Sequence, residues 1–268
     1  MRFGFVVPHG DASDVADMAA VAETAGWDGL FVWEGLYGVD AWVSLGAAAV
    51  RTDNLTLGTL LTPVSRRKPW ELAGQVATVD RLSKGRVVLS VGLGAIDSGF
   101  EEFGEECDRR TRAELMDEGL EIMSRLWTGK PVTFDGNHYH LRPSTFPAIK
   151  HVVQQPHPPV WCVGALGSRT SMSRALRWNG LIPQVVEDGK ARQATLEELI
   201  AARPLIAATV GERPYDIIVE GSWQEHSPAA WMEAGATWWI ESLWDAMHGP
   251  DPVAASIDRL REGPPAIA

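Results

Sequence analysis

Eight short apolar segments alternate with longer segments of helical pattern, and this rhythm limits the fold more than any other feature of the chain. Strands that alternate with helices imply parallel pairing through right-handed crossovers. Eight such units predict an α/β fold, the closed (β/α)8 TIM barrel, and an open doubly wound sheet is the alternative. The predicted strands are Phe3–Pro8, Gly29–Glu34, Leu55–Thr62, Arg86–Gly92, Val160–Gly164, Gly180–Gln184, Tyr215–Glu220 and Thr237–Ser242.

The length of 268 residues fits one such barrel, and no linker or change of composition divides it. We therefore expect a single domain over residues 1–268. The rhythm breaks once, between the fourth and fifth units. There the segment VTFDGNHYHL (132–141) predicts a small inserted hairpin with Asp135 and Gly136 as its two-residue turn.

The chain is acidic, with 35 Asp and Glu, 24 Lys and Arg, and a formal net charge of -11. This balance argues against nucleic acids and anionic membranes, since both attract basic surfaces. No apolar run reaches the roughly 18 residues of a membrane span, and the first residues do not resemble a signal peptide. Two cysteines, Cys107 and Cys162, are too few for a disulfide framework. The sequence therefore predicts a cytoplasmic protein with a small-molecule substrate.

Barrel active sites lie at the C-terminal ends of the strands, so the strand ends are the first candidates. The fourth strand ends in SVGLG, where Gly92 and Gly94 permit positive φ and close backbone approach. A planar ring against that backbone is one interpretation, and a tight turn without a ligand is the other. Other strand ends offer the side chains of His9, Trp33, Glu34, Thr62, Glu220 and Glu241.

The fifth strand runs into GALGSR (164–169), at the start of a predicted helix. Backbone N–H groups at a helix start attract anions, and Arg169 adds positive charge. The turn predicts a phosphate site. The structural alternative is an N-cap by Ser168 with Gly167 supplying the turn.

A basic cluster follows the third strand in TPVSRRKPW (62–70), where Arg66, Arg67 and Lys68 stand together. At the rim of an active site these cations suit an anionic ligand tail. The alternative is a solvated loop before a helix that starts at Pro69.

Motifs for several other chemistries do not occur in the sequence. GxSxG, HExxH and GxxxxGK[ST] are absent, so enzymes of those types are unsupported. His138 and His140 share one face of the predicted hairpin, but no third ligand stands at a useful spacing, so we expect no metal site. No lysine lies within a predicted strand, which argues against a Schiff-base phosphosugar enzyme.

Four segments point to a family when they are taken together. Residues 57–94 contain a strand, a basic turn before a proline, the sequence VATVDRLSKGR and a strand that ends in VGLG. The others are AETAGWDGLFVWE (22–34), LEIMSRLWTGKPVTFDGNHYHL (120–141) and VVQQPHPPVWCVGA (152–165). As a set they resemble the luciferase-like monooxygenase superfamily, over most of the chain to about residue 180.

The resemblance implies a barrel that is usually a homodimer and that binds a flavin, or the deazaflavin coenzyme F420, at the strand C-termini. It implies hydride transfer or monooxygenation of a small organic substrate. The run LLTPVSRRKP is closer to the deazaflavin-using members, so coenzyme F420 is favoured over FMN.

The family pattern also indicates site residues. A non-prolyl cis peptide is expected among Thr59, Leu60 and Leu61, and the coenzyme phosphate is expected on the GALGSR turn. The substrate pocket is expected to include Trp33, Arg66 and Arg67. The cofactor-binding residues implied are Thr59, Leu60, Leu61, Thr62, Gly92, Leu93, Gly94, Gly164, Ala165, Leu166, Gly167, Ser168 and Arg169.

Two positions depart from the family pattern. Many members carry Asp-His after strand two, where this chain has Glu34 and Gly35, and the usual Gly-Gly after strand five is Gly164–Ala165. Glu34, helped by His9, is the nearest titratable replacement for proton transfer, and a structural role beside an arginine is the alternative. The missing histidine leaves a second function open, that of a flavin- or deazaflavin-binding protein without catalysis.

Overall fold

The barrel wall consists of eight parallel strands in the computed structural model, which describes residues 1–144, 152–221 and 227–267. They are β1 (Arg2–Val7), β2 (Gly29–Val32), β3 (Thr56–Thr59), β4 (Val87–Gly92), β5 (Val160–Ala165), β6 (Gly180–Glu187), β7 (Asp216–Gly221) and β8 (Trp238–Ser242). The ring closes because β8 pairs with both β7 and β1. Closure confirms the predicted barrel and excludes the open sheet.

A helix follows each strand and covers the outside of the barrel. The helices are α1 (Ala12–Thr24), α2 (Ala41–Arg51), α3 (Pro69–Leu82), α4 (Arg109–Leu126), α5 (Arg169–Ala175), α6 (Leu196–Val210), α7 (Pro228–Glu233) and α8 (Pro252–Arg261). Short 3-10 turns lie at Val64–Arg66, Ile96–Ser98 and Trp244–His248. Among the described residues, no helix has the length and apolar character needed to cross a membrane.

Strand alternation divides the buried apolar residues into two clusters, one inside the barrel and one between the strands and helices. The ring of Phe31 fills the centre, 5.4 Å from the ring of Trp161 and 5.8 Å from that of Trp238. The interior is therefore packed, and a ligand has room only above it, at the strand ends. The interior cluster comprises Val6, Phe31, Leu60, Val88, Trp161, Ile182, Ile218, Trp238 and Ile240.

Two short antiparallel strands, Phe134–Asp135 and His140–Leu141, lie between α4 and β5. Their connection comprises residues 136–139, so the predicted two-residue turn at Asp135 and Gly136 is wrong. The Glu118 carboxylate of α4 accepts hydrogen bonds from the N–H groups of residues 137–139, which holds the longer loop. Residues 145–151, which follow, lie outside the described residues.

A hairpin that the sequence analysis missed extends β6. Strand Lys190–Gln193 pairs antiparallel with the end of β6, and Asp188 and Gly189 form the connection at φ 50° and 81°. Positive φ at both residues is the geometry of a two-residue primed turn. The two-residue turn typical of an Asp-Gly pair therefore forms at Asp188–Gly189 and not at Asp135–Gly136.

Candidate functional site

Two tryptophans stand at the C-terminal mouth of the barrel. Trp33 follows β2 and Trp244 follows β8, and their rings meet edge to face with centroids 6.3 Å apart. The indole N–H of Trp33 donates to the carbonyl oxygen of Pro8 at 2.9 Å, while 37 % of Trp33 stays exposed. Trp244 also packs against the interior cluster. The pair forms an aromatic wall where barrels of this type bind ligands.

The chain after β3 reaches the mouth through Leu60 and Leu61. Their peptide bond is cis, which confirms the expected non-prolyl cis peptide. Leu60 belongs to the interior cluster, and the side chain of Leu61 lies against β4, where a Cβ added to Gly92 would come within 2.8 Å of it. Gly92 therefore permits the close approach of Leu61. The chain then pairs again with β4 through Thr62 and Pro63.

Gly94 has a packing role in the turn after β4. Its φ is +78°, and an added Cβ would lie 2.7 Å from the Phe100 ring and 3.0 Å from Pro63. Arg112 of α4 donates to the carbonyl oxygens of Leu93 and Gly94 at 2.6 Å and 3.2 Å. Contacts within the protein therefore hold this turn, and the predicted cofactor contact of Gly92, Leu93 and Gly94 stays a prediction.

Glu34 projects into the wall beside β3, and its side chain is only 3 % exposed. Its Oε1 accepts a hydrogen bond from the Thr62 hydroxyl at 2.9 Å, and that hydroxyl lies 3.0 Å from the hydroxyl of Thr59. Its Oε2 lies 3.3 Å from Nη2 of Arg67. Burial raises the pKa of Glu34 and outweighs the opposing effects of Arg67 and Thr62. Both carboxylate oxygens thus have protein partners.

Arg66 and Arg67 hold the loop after β2 rather than projecting freely into solvent. Arg66 donates to the carbonyl oxygens of Gly35 and Leu36 at 3.2 Å and 3.1 Å, and Arg67 contacts Glu34 and Gln75. Beside them lies a polar cavity of about 210 Å³ that contains acidic and basic groups in equal number. It is lined by Glu34, Gly35, Leu36, Gly38, Val39, Asp40, Ala41, Arg66 and Arg67.

Gly164 and Gly167 have different roles in the turn after β5. Gly164 faces α5, where an added Cβ would clash with Leu181 and lie 3.0 Å from Sδ of Met172. Gly167 has φ +85° and no heavy atom within 4 Å of an added Cβ. Strand–helix packing thus requires the first glycine, and the left-handed turn favours the second.

Ser168 caps α5, since its hydroxyl accepts the N–H of Ser171 at 3.4 Å. The N–H of Ala165 donates to the Ser171 hydroxyl at 2.9 Å, and that of Leu166 donates to the carbonyl of Gln184 at 2.7 Å. The predicted structural alternative, an N-cap with a glycine turn, is therefore present. Arg169 follows the cap and is exposed.

The other sequence candidates lie apart from the mouth or at its outer edge. His9, after β1, is exposed. His138 and His140 pair separately with carboxylates, His138 with Glu114 at 3.0 Å and His140 with Asp135 at 2.6 Å. In the described part of the chain, no three His, Cys, Asp or Glu side chains gather in a group that could hold a metal ion.

Glu220, a strand-end candidate that belongs to no motif, also reaches the mouth. Oε1 of Glu220, near the end of β7, accepts the indole N–H of Trp244 at 2.6 Å. Burial raises the pKa of Glu220. The available signal was strand alternation, because Ile218 faces the interior and the side chain two residues later must face the same way.

Comparison with known families and curated proteins agrees with this geometry. The family model described as luciferase-like monooxygenase matches residues 1–260. An F420-dependent glucose-6-phosphate dehydrogenase of Nakamurella multipartita is 31 % identical over 156 residues, 54 % of this chain and 46 % of that protein. The match with this dehydrogenase thus spans less than half of its length.

Solved structures extend the similarity of fold over the whole chain. An F420-dependent secondary alcohol dehydrogenase in complex with an F420–acetone adduct has a TM-score of 0.75 at 19 % identity, covering 100 % of this chain and 99 % of that one. The oxygenating constituent of 3,6-diketocamphane monooxygenase from Pseudomonas putida, in complex with FMN, has a TM-score of 0.65 at 17 % identity, covering 83 % and 67 %.

Proposed function

This chain belongs to the luciferase-like monooxygenase family, and from that premise we propose that it is a flavin- or deazaflavin-dependent oxidoreductase whose coenzyme ring binds at the barrel mouth. The observation that carries the proposal is the edge-to-face pair of Trp33 and Trp244 above a filled barrel. The partly exposed ring of Trp33, held at its edge by Trp244, offers an aromatic surface to a planar ring. When bound, the coenzyme supplies the redox step, and the protein supplies position and electrostatics.

The proposed site uses three neighbouring parts of the mouth. Trp33 and Trp244 contact one side of the ring, and Leu60–Leu61 supplies backbone and apolar surface at the end of β3. The coenzyme phosphate binds at the turn after β5, where Arg169 offers an exposed positive charge. A small organic substrate then occupies the remaining space beside Trp33.

We favour coenzyme F420 over FMN. The curated relative named above is an F420-dependent enzyme, and the basic residues Arg66, Arg67 and Lys68 stand at the rim. Lys68 is exposed, whereas both arginines hold the loop after β2. The cluster therefore attracts a polyanionic coenzyme tail through its summed field more than through a free guanidinium group.

A coenzyme-binding protein without catalysis is the second candidate, and one observation favours it. Glycine stands at position 35, where many relatives carry histidine, and the ring of Trp33 lies 3.2 Å from the place of a Cβ there. The space for that histidine is therefore occupied. Coenzyme binding without turnover of any tested alcohol or aldehyde would support this candidate.

We also propose that the protein is a homodimer. The outer face of α2 exposes Val43 and Val50, and Leu82 of α3 is exposed beside Gly46. An apolar stripe shared by two neighbouring helices suits a second copy of the chain. Analytical ultracentrifugation of the double variant Val43→Glu/Val50→Glu tests this. We expect wild type to sediment as a dimer and the variant as a monomer, because each copy would bury two charges at the interface.

The protein is further proposed to be cytoplasmic. Both cysteines, Cys107 and Cys162, are free thiols. Free thiols suit a reducing compartment. Fractionation of the producing cells tests this location.

The test of function is a titration of the purified protein with each coenzyme, followed by absorbance and tryptophan fluorescence. We expect saturable binding of the deazaflavin, and weaker binding after Trp33→Leu and Trp244→Leu. The matched control is Trp70→Phe, because Trp70 is 44 % exposed on α3 and packs against Tyr139 rather than at the mouth. No spectral change with either coenzyme would contradict the proposed function.

A further inference from the structure

Glu220 lies on the interior face of β7, near the mouth. In the parallel register Glu220 stands opposite Ile240 of β8, and the interior cluster contains both Ile240 and Ile218. Alternation along β7 therefore directs Glu220 to the same side as Ile218, one step nearer the C-terminal end. The residue is half-buried, so part of it stays exposed to solvent.

Neutral donors hold this carboxylate. The indole N–H of Trp244 donates to Oε1 at 2.6 Å, and the hydroxyl of Ser242 forms a second hydrogen bond. Trp244 in turn meets the ring of Trp33 at the mouth. The carboxyl group is thereby fixed directly beside the aromatic wall that the proposed function assigns to the coenzyme ring.

The charges around Glu220 differ from those around Glu34. The elements packed against Glu220 present Gln184 from β6, Ser242 from β8 and Trp244 from the following turn, all neutral. Within the described residues no cation acts on it, and burial raises its pKa above the ordinary glutamate value. Glu34, by contrast, lies 3.3 Å from Arg67.

We propose that Glu220 is the residue that takes up and returns the proton that accompanies hydride transfer between an alcohol or carbonyl substrate and the coenzyme. The proposal rests on the proposed oxidoreductase function. In the oxidising direction the substrate's C–H bond breaks and both electrons leave with the hydrogen to the oxidised coenzyme. The O–H bond breaks as its proton passes to the Glu220 carboxylate. The products are a carbonyl compound, the reduced coenzyme and the protonated acid.

Trp244 is a positioning residue in this account. Its N–H stabilises the ionised form of Glu220 and keeps the carboxyl group at the mouth. A carboxyl group whose pKa is raised by burial suits proton exchange better than an ordinary glutamate, since general acids and bases act best when their pKa lies nearer the working pH. Gln184, which lines the small cavity of about 20 Å³ beside Glu220, provides an uncharged wall on the other side.

The first test uses no coenzyme. The chain has 12 tryptophans, and the indole resonance of Trp244 in a ¹⁵N–¹H spectrum is identified by its loss in Trp244→Phe. We expect this resonance to titrate with a midpoint above about 4.3, the ordinary glutamate value, and to stop titrating in Glu220→Gln. A Trp244 resonance that moves identically in Glu220→Gln would overturn the proposed link.

The second test compares steady-state rates of the loaded enzyme. Glu220→Gln keeps the acceptor for Trp244, so we expect coenzyme affinity within about threefold of wild type, kcat lower by about 10²-fold or more, and loss of the acid limb of the pH profile. Glu212→Gln, an exposed carboxylate on the loop after α6, is the matched control. An unchanged kcat and pH profile in Glu220→Gln overturns the proposal, whereas wild type that binds neither coenzyme overturns the proposed function itself.

Discussion

The ring of Trp33 covers the place where a side chain at Gly35 would begin, since an added Cβ would lie 3.2 Å from Cζ3 of that ring. The indole is fixed there by its hydrogen bond to Pro8. At this position the chain therefore has backbone under an aromatic ring, and this edge of the mouth is apolar.

Gly35→Ala should therefore displace Trp33 and weaken coenzyme binding. The added methyl group forces the ring to move by a few tenths of an ångström, and the partly exposed indole can give way without unfolding the barrel. We expect the dissociation constant to rise about threefold to tenfold in a fluorescence titration, with little change in Tm. Gly38→Ala is the control, because no heavy atom lies within 4 Å of a Cβ added at Gly38. Equal effects of the two variants would contradict this.

Glu34→Gln should change how the stability of the protein depends on pH. Burial raises the pKa of Glu34. The folded protein therefore binds this proton more tightly than the unfolded chain, and wild-type stability falls as pH rises from about 4.3 through the folded pKa. Gln removes that dependence, so the Tm of the variant relative to wild type should increase between pH 4 and pH 8.

Two other outcomes of the Glu34 experiment would contradict this account. A variant that loses stability as pH rises would mean that the pair with Arg67 dominates burial. A fall in kcat of about 10²-fold or more, with the coenzyme still bound, would assign proton transfer to Glu34 instead of Glu220.

Ser168→Asp should weaken coenzyme binding by about tenfold. Aspartate caps a helix as well as serine does, but it adds a negative charge beside the proposed phosphate. Ser168→Asn caps without charge and should bind the coenzyme more tightly than Ser168→Asp in the same titration. Gly167→Pro is unsuitable as a further variant, because Gly167 has φ +85° and proline requires φ near −65°. Equal affinities of the Asp and Asn variants would mean that the phosphate binds elsewhere.

Deazaflavin binding should weaken as salt increases. The Debye length falls from about 30 Å at 0.01 M salt to about 3 Å at 1 M salt. High salt therefore removes the attraction of Arg66, Arg67 and Lys68 for a polyanionic tail. Lys68→Gln should reduce the slope of affinity against salt, since Lys68 is exposed. Tighter binding of FMN than of the deazaflavin, with no salt effect in this variant, would reverse the coenzyme preference.

The barrel was predictable because short β-rich runs alternate regularly with segments of helical pattern. The ends of these runs fix which residues approach the mouth, which is why Trp33 was identified in advance, whereas the cis peptide at Leu60–Leu61 was expected from the family resemblance. Hairpins were harder, because two Asp-Gly pairs occur and only Asp188–Gly189 forms the two-residue turn. The Glu118 carboxylate, distant in sequence, decides the conformation of the other loop.

The site was predictable in its location and less so in its contacts. The sequence places Arg66 and Arg67 at the rim. It does not reveal that Arg66 donates hydrogen bonds to backbone carbonyls or that Arg67 pairs with Glu34. The pairing of Glu220 with Trp244 joins residues 24 apart through a strand and a turn, and no motif encodes such a contact. The parallel pairing of β7 with β8 brings the two together.

A crystal structure with bound deazaflavin tests the central claim most directly. We expect density for the ring at the C-terminal mouth, in contact with Trp33 and Trp244 and beside Leu60–Leu61, with Glu220 within reach of the substrate space. Density for the ring in the polar cavity between Glu34 and Arg66, or at the N-terminal end of the barrel, would contradict it.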